Sequence, residues 1–264
     1  MLIDTHAHFY DEVFKEDFEL CVNRIAENQI DFILLPNIDV ESINVLLELS
    51  QNLSNCIPMM GLHPGYVKED WEIQLQKIEQ TLFAQPDLFC AVGEIGMDLY
   101  WDKTFVEAQK LAFRQQIDWA KKLNLPIAIH AREAFQEIFE ILDKVNDESL
   151  KGVFHCFTGN QADAEKIIGY GGFKLGIGGV VTYKNSHLPE VLKNVGLLHL
   201  VLETDAPYLP PVPYRGKRNE PAYVSFVAEK LADIFQVSMH EVANITTQNA
   251  IELFQLDKWL KAHA

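Results

Sequence analysis

Histidine and carboxylate side chains stand at the ends of short apolar runs along most of this chain. Two pairs are spaced two residues apart, His6 with His8 and Glu203 with Asp205. Side chains two apart on a strand face the same side, so each pair can point its donor atoms at one place. Imidazole and carboxylate groups are ligands of ions such as Zn²⁺, Mn²⁺, Fe²⁺ and Ni²⁺. The candidates are His6, His8, His63, Glu94, His130, His155, Glu203 and Asp205.

This set of donors is too large for one catalytic ion. A catalytic zinc site uses three protein ligands and leaves a position open for water or substrate. Two ions that share a bridging carboxylate fit the set better. A lone histidine is more often a hydrogen-bonded core residue, and only the convergence of several favours a metal centre. The histidines that end no predicted strand are interpreted as structural or exposed; they are His187, His199, His240 and His263.

The elements that must position these residues alternate between short β-rich runs and longer amphipathic segments. The runs predict strands, and apolar residues three and four apart predict helices between them. The predicted strands are 2–6, 31–36, 57–63, 89–94, 126–130, 152–156, 173–177 and 198–204. The predicted helices include 16–28, 41–52, 71–84, 104–123, 133–145, 221–235 and 238–254.

Eight such units in 264 residues predict an α/β fold, a closed (β/α)₈ TIM barrel that forms a single domain over residues 1–264. The runner-up is an open doubly wound sheet. No G-x-G-x-x-G follows the first strand and no G-x-x-x-x-G-K-[ST] occurs, so no organic cofactor is expected. In a barrel, catalytic residues gather at the carboxyl ends of the strands, where the candidates stand.

Composition limits the partners. The 22 basic and 38 acidic residues give a net charge of -16, which excludes a generally basic nucleic-acid or membrane-surface binder. A polyanion must therefore be held by a local positive site. The four cysteines form no C-x-x-C pair, as in reduced cytosolic proteins, and no apolar stretch approaches the ~18 residues that span a bilayer. We expect a cytoplasmic protein with no membrane partner.

Seven motifs resemble those of the TatD family of metal-dependent hydrolases, which belongs to the amidohydrolase-like barrels. The resemblance covers almost the whole chain, and the motifs follow the family's order. They are Asp4-Thr-His-Ala-His8, Gly61-Leu-His-Pro64, Val92-Gly-Glu-Ile-Gly-Met-Asp98, Leu125-Pro-Ile-Ala-Ile-His-Ala-Arg132, Phe154-His-Cys-Phe-Thr-Gly159, Leu202-Glu-Thr-Asp-Ala-Pro-Tyr-Leu209 and Arg215-Gly-Lys-Arg-Asn219.

The resemblance implies two divalent metal ions, with Zn²⁺, Mn²⁺, Mg²⁺ and Ni²⁺ as candidates. Two local departures leave the implied ligands intact. His8 is followed by Phe-Tyr where the family usually has Leu-Asp, and Gly96-Met-Asp-Leu-Tyr100 replaces the commoner Gly-Leu-Asp-Tyr. The implied ligands are His6, His8 and Asp205 for one ion, His130 and His155 for the other, and Glu94 as the bridge.

The resemblance also implies a deoxyribonuclease that hydrolyses phosphodiester bonds, similar to 3′-end exonucleases. Asp205 is our preferred general base, and Glu203 is either the alternative base or a group that orients His63 or another imidazole. His63 is assigned to the substrate phosphate. Two divalent ions would leave the mouth net positive after subtraction of Glu94, Asp205 and Glu203.

Cationic residues are predicted to bind the substrate. Three of them lie within four residues on the loop after the eighth strand, which suits phosphates better than a neutral amide. Because the rest of the surface is negative, short or single-stranded DNA ends are the expected substrate. The predicted substrate cations are Arg132, Arg215, Lys217 and Arg218.

Two alternatives stay open from the sequence. The same ligands could serve an amidohydrolase-type enzyme acting on a small amide, lactone or phosphoester. The chain could also be a metal-dependent nucleic-acid binding protein without turnover.

Overall fold

A computed structural model describes residues 1–263, in which parallel strands alternate with helices. The strands are β1 Leu2–Asp4, β2 Ile30–Leu35, β3 Cys56–Pro58, β4 Val92–Asp98, β5 Ile127–Arg132, β6 Gly152–Phe154, β7 Phe173–Ile177 and β8 Leu200–Leu202. The helices are α1 Phe18–Glu27, α2 Ser42–Asn52, α3 Trp71–Ala84, α4 Val106–Leu123, α5 Phe135–Val145, α6 Gln161–Gly169, α7 Leu188–Val195, α8 Val224–Phe235, α9 Met239–Phe254 and α10 Asp257–His263.

The strands form a closed ring. β1 to β3 make one parallel ladder and β4 to β8 make another. Between β3 and β4, the Met60 N–H donates to the Ala91 carbonyl at 3.2 Å. Between β8 and β1, the Thr5 N–H donates to the Leu202 carbonyl at 2.9 Å. Bonds across both gaps complete the ring, and the predicted (β/α)₈ barrel is confirmed.

Alternation along the strands divides the core into two layers. In β2, Phe32 and Leu34 belong to one apolar cluster, while Ile33 and Leu35 belong to the other. The cluster that contains Phe32 and Leu34 includes residues from successive strands and fills the barrel. The cluster that contains Ile33 and Leu35 packs the strands against the helices. Phe254 at the end of α9 packs in the first cluster. The amino-terminal end of the barrel is therefore closed, which leaves the carboxyl end for a site.

Several elements differ from the prediction at their ends. β1 stops at Asp4 and β3 at Pro58, so His6 and His63 lie in the loops that follow. The His63 N–H, for example, donates to the Ile38 carbonyl at 2.9 Å and not to a strand ladder. Helices α6, α7 and α10 are absent from the predicted set. The single-domain prediction reaches residue 264, which lies outside the described residues, and stays a prediction. Within 1–263, each helix is too short or too polar to cross a bilayer.

Candidate metal centre

The candidate residues of the sequence meet at the carboxyl end of the barrel, around a cavity of about 690 Å³. We call six of them the histidine–carboxylate cluster: His6, His8, Glu94, His130, His155 and Asp205. Five of these six line the cavity, and His6 lies buried directly behind them.

Glu94 on β4 is the centre of the cluster and is only 1% exposed. Its Oε2 lies 3.1 Å from Nε2 of His6 and 3.6 Å from Nε2 of His8. Its Oε1 lies 2.8 Å from Nδ1 of His130 and 3.8 Å from Nε2 of His155. The two oxygens thus face the two predicted histidine pairs separately, which is how a carboxylate shared by two ions would lie.

Asp205 closes the first predicted set. It follows β8 in the left-handed conformation with φ of 58°, which Asp tolerates better than most residues. Its Oδ1 lies 3.6 Å from Nε2 of His8 and 3.7 Å from Nε2 of His155. Donor atoms of His6, His8 and Asp205 all lie within 4.8 Å of one another. One divalent ion could contact all three.

His130 and His155, the second predicted set, are less tightly grouped. Their ring centroids lie 6.3 Å apart, and each ring shares a closer group of donors with another histidine. Glu94 Oε1 is the atom that both rings face. The structure therefore brings this pair together through the carboxylate and not through direct proximity.

Tyr10 fixes the orientation of His8. Its hydroxyl donates to the Pro36 carbonyl at 2.7 Å and lies 3.1 Å from Nδ1 of His8. Because the hydroxyl hydrogen is used on Pro36, the oxygen must accept a hydrogen from Nδ1. Nε2 of His8 then keeps its lone pair toward Glu94 and Asp205. Tyr10 is one of the two residues that depart from the family's Leu-Asp.

Two further carboxylates lie beside the outer nitrogens of two other imidazoles, those of His130 and His155. Asp98 Oδ2 lies 3.0 Å from Nε2 of His130, and Glu203 Oε1 lies 3.0 Å from Nδ1 of His155. Metal-ligating histidines usually donate their second N–H to such a partner. Glu203 is fully buried and contacts His155, so it does not orient His63. No role was predicted for Asp98 from the sequence. Its position four residues after Glu94 on β4 was the signal that could have identified it as a site residue.

His63 differs from the candidate ligands in its hydrogen bonds. Its Nδ1 accepts the Gly65 N–H at 2.9 Å, so the ring hydrogen of the neutral form must sit on Nε2. That Nε2 lies 3.4 Å from Glu94 Oε1 and 3.2 Å from Nδ1 of His130. His63 therefore presents a hydrogen-bond donor, and not a lone pair, to the centre.

The electrostatics of the cluster fit a bound cation. Burial opposes ionisation of Glu94, but the imidazoles of His63 and His6 outweigh it and hold its carboxyl pKa well below the ordinary value. Burial also lowers the pKa of His155, but Glu203 and Asp205 outweigh it and raise that pKa to about 10. Without a metal ion, the His155 ring is thus protonated among the carboxylates. A metal ligand, by contrast, must offer a lone pair on its ring nitrogen. A divalent ion would replace this proton, and nitrogen with oxygen donors suits the transition metals predicted.

A buried carboxyl joins the first and last strands beneath the cluster. Asp4 accepts the Thr204 N–H at 2.9 Å and the Thr204 hydroxyl at 2.5 Å. Burial is the main cause that raises the Asp4 pKa to about 8. These bonds fix the chain just before His6 relative to the chain just before Asp205.

The predicted substrate cations divide into two groups. Arg132 lines the cavity, with its guanidinium 4.1 Å from the ring centre of Tyr100. Among residues 1–263, the lining does not include the three cations of the loop after β8. Arg215 lies over Tyr183, Lys217 over Tyr214 and Arg218 over Phe14.

Arg218 belongs to a second charged group, the arginine–carboxylate network of Asp17, Arg24, Arg218 and Glu220. Arg218 contacts both oxygens of Asp17, at 2.7 and 2.8 Å. Arg24 contacts both oxygens of Glu220, at 2.7 and 2.5 Å. The Arg218 hydrogen bonds are the main cause that lowers the Asp17 pKa to about 2. The network holds the loop after β8 against α1.

Comparison with known proteins agrees with this geometry. The model of the family described as TatD related DNase matches residues 3–255. The chain is similar to the uncharacterized metal-dependent hydrolase YabD of Bacillus subtilis, with 38% identity over 97% of this chain and 100% of that protein. It is also similar to the uncharacterized metal-dependent hydrolase YjjV of Escherichia coli K12, with 32% identity over 96% and 98% of the two chains.

Solved structures give the same result for the fold. The crystal structure of YjjV, a TatD homologue from Escherichia coli K12, superposes with a TM-score of 0.90 at 31% identity and covers 96% of this chain and 98% of its own. A TatD family hydrolase from Entamoeba histolytica superposes with a TM-score of 0.84 over 96% of this chain and 97% of its own. Its 23% identity supports the fold alone.

Proposed function

Because this chain belongs to the TatD-related DNase family and is a metal-dependent hydrolase, we propose that it hydrolyses phosphodiester bonds of DNA with two divalent ions, in the manner of a 3′-end exonuclease. The observation that carries the proposal is Glu94, whose two oxygens face separate histidine pairs. Four carboxylates surround the imidazoles: Glu94, Asp98, Glu203 and Asp205. Two divalent ions would carry the four positive charges that balance these carboxylates.

Divalent ions held there would act as Lewis acids on the phosphoryl group and generate a nucleophile from water near neutral pH. Asp205 reaches the cavity, so its carboxylate can take the proton of the attacking water and pass it to the leaving oxygen. Glu203 is 0% exposed and is engaged with His155 and the Cys156 N–H, at 3.0 and 2.5 Å. We therefore assign the base to Asp205, and to Glu203 the orientation of His155.

His63 and Arg132 are the residues we assign to the substrate. The Nε2 hydrogen of His63 can be donated to a phosphate oxygen beside Glu94. The sequence predicted a net positive mouth, because it set the charge of two divalent ions against Glu94, Asp205 and Glu203 alone. Asp98 adds a fourth negative charge, so the sum for the mouth becomes zero. Capture of a polyanion then depends on Arg132 at the rim more than on the net charge of the ions.

One observation favours a second candidate function. The cations of residues 215–218 favoured a phosphate substrate over an amide in the sequence. Within the described chain, these residues do not line the cavity. A small amide, lactone or phosphoester therefore stays the alternative substrate class. Binding of nucleic acid without turnover is less favoured, since Asp205, the group assigned as base, reaches the cavity. The four cysteines are free thiols, which supports a cytoplasmic site of action.

The deciding experiment uses end-labelled single- and double-stranded DNA with Mg²⁺, Mn²⁺ and Zn²⁺ in turn. We expect nucleotides to be released from 3′ ends, faster from single strands, and no release after chelation until metal is returned. Turnover of a small amide or lactone, with DNA intact under every ion, would replace the nuclease proposal by the alternative.

A further inference from the structure

Two neighbouring aromatic side chains stand exposed in the loop between β4 and α4. Tyr100 is 48% exposed and Trp101 is 75% exposed. Their rings meet edge to face, with centroids 4.7 Å apart and planes at 88°. Trp101 also lines the cavity that contains the histidine–carboxylate cluster. A large apolar surface is thus kept in solvent beside the candidate centre, where a ligand could cover it.

Arg132 extends this surface with a cation. Its guanidinium lies 4.1 Å from the ring centre of Tyr100 and 5.2 Å from that of Trp101. The Leu99 N–H donates to the Arg132 carbonyl at 2.9 Å, which ties the end of β5 to the loop. Two aromatic rings and a planar cation in contact offer stacking faces, and Arg132 adds attraction for a nearby phosphate.

The same surface is fixed to the candidate metal centre through one carboxylate. Asp98 Oδ2 lies 3.0 Å from Nε2 of His130, and Asp98 Oδ1 accepts the Tyr100 N–H at 3.0 Å. His130 and Arg132 are two residues apart on β5, a rise of roughly 6–7 Å along one side of the strand. A single nucleotide can span such a distance from its phosphate to its base.

We propose that Tyr100, Trp101 and Arg132 form a nucleobase platform, on which the base beside the scissile phosphate stacks. The proposal rests on the proposed nuclease function and adds a binding subsite to it. Stacking on aromatic rings accepts every base, so the platform would bind single-stranded ends without reading sequence. It also gives a role to the altered stretch Gly96-Met-Asp-Leu-Tyr100, which leads directly into Trp101.

The kinetic test compares single-stranded oligonucleotides that differ by one base. An abasic residue replaces either the terminal or the penultimate base at the 3′ end. For the wild type, we expect one of the two replacements to raise KM about tenfold, equivalent to about 1.4 kcal/mol. Trp101→Ala should raise KM for the intact substrate about tenfold and remove the discrimination, whereas Trp101→Phe should retain most of it. Phe83→Ala, at a 38% exposed ring on α3, is the matched control and should change neither.

A binding measurement separates the platform from the chemistry. The probe is dithymidine joined by a methylphosphonate, which resists hydrolysis, and the readout is tryptophan fluorescence. We expect the probe to quench the wild type but not Trp101→Phe. Intact DNA cleavage with an unchanged KM in Trp101→Ala would overturn the platform and leave the nuclease proposal standing. Quenching by the probe without cleavage of any diester would overturn the nuclease proposal and support the platform, and failure of both would overturn both.

Discussion

The histidine–carboxylate cluster and the arginine–carboxylate network are both concentrations of charged side chains, but their charges are balanced differently. In the network, two guanidiniums contact two carboxylates through both oxygens of each. In the cluster, the carboxylates face imidazoles, and Glu94 is surrounded by ring nitrogens at 2.8 to 3.8 Å. The first group is complete within the chain, and the second is complete only with a proton or a metal ion.

The difference follows from the base that each group uses. Guanidinium stays protonated and offers donors only, so it forms a salt bridge with a carboxylate and has no lone pair for a metal ion. Neutral imidazole has one donor and one lone pair. When an outer group such as Tyr10 or Asp98 takes the donor, the lone pair is directed inward. A cluster of charged side chains therefore indicates a metal site only when its bases can lose their protons.

The largest expected effect comes from Glu94→Gln. Glutamine keeps the shape but removes the charge between the two histidine pairs, so the cluster should bind fewer metal ions. We expect kcat/KM to fall about a thousandfold or more. Metal content of the purified variant and its hydrolysis rate test this together. Near-normal activity with two bound ions would contradict the bridging role.

The next effect separates the two acids after β8. Asp205→Asn should lower kcat by about 10²- to 10⁴-fold, because it removes the group assigned as base. Glu203→Gln should act mainly on metal affinity, by about 10- to 100-fold, through the orientation of His155. Both variants are compared at saturating metal with the metal content measured. If Glu203→Gln loses as much kcat while both ions are bound, the two roles must be exchanged.

Tyr10 tests whether an outer partner prepares an imidazole for metal. Tyr10→Phe removes the acceptor for Nδ1 of His8, and metal affinity should fall about tenfold. Tyr10→Asp, with the residue usual in the family, should restore much of the affinity because a carboxylate also accepts from Nδ1. Tyr208→Phe is the matched control, since the Tyr208 ring contacts His8 edge to face with centroids 5.9 Å apart. Competition with a chromogenic chelator measures the affinities; equal values for Tyr10→Phe and wild type would contradict the expectation.

Arg218→Ala tests the arginine–carboxylate network. We expect a loss of about 1 kcal/mol in the free energy of unfolding, because a partly exposed bidentate pair with Asp17 is removed. KM for DNA should change by less than about twofold. The opposite outcome, a raised KM with a salt dependence reduced by about one counterion, would restore the substrate role that the sequence predicted for Arg218.

The smallest expected effect is the acid dependence of the network. In the folded chain the pKa of Asp17 is about 2, below its value of about 3.9 in an unfolded chain. The pair therefore stabilises the fold above about pH 4, and this contribution disappears as the pH falls from about 4 to 2. Asp17→Asn should lose this part of the pH dependence. Urea unfolding of both proteins across that range measures the difference, and parallel curves would contradict it.

Much of the barrel and of the cluster could be predicted from the sequence, because local patterns carry both. Apolar runs locate the eight strands, and the ligand types stand within a few residues of their ends. The start of α6, by contrast, depends on a capping box between Asn160 and Asp163 rather than on a strong apolar pattern. Local patterns therefore find the strands more reliably than the shorter helices.

The sequence could not show which groups far apart in the chain form hydrogen bonds with each other. Arg218 pairs with Asp17 across 201 positions, and no pattern near Arg218 in the chain predicts that partner. Tyr10 shows the same limit, because its role depends on the Pro36 carbonyl, 26 residues away. Residue types were therefore predictable, whereas the division between ligands, orienting groups and structural salt bridges required coordinates.

The seam between β1 and β8 determines the order in which the centre can be assembled. Asp4 bonds to Thr204 across 200 positions; His6 lies two residues after Asp4, and Asp205 directly follows Thr204. A chain emerging from the ribosome would display His6, His8, Glu94, His130 and His155 long before Asp205 is made. High-affinity metal capture should then come late, after the barrel has closed. Metal loading would thus report that the chain has been synthesised through its eighth strand and folded.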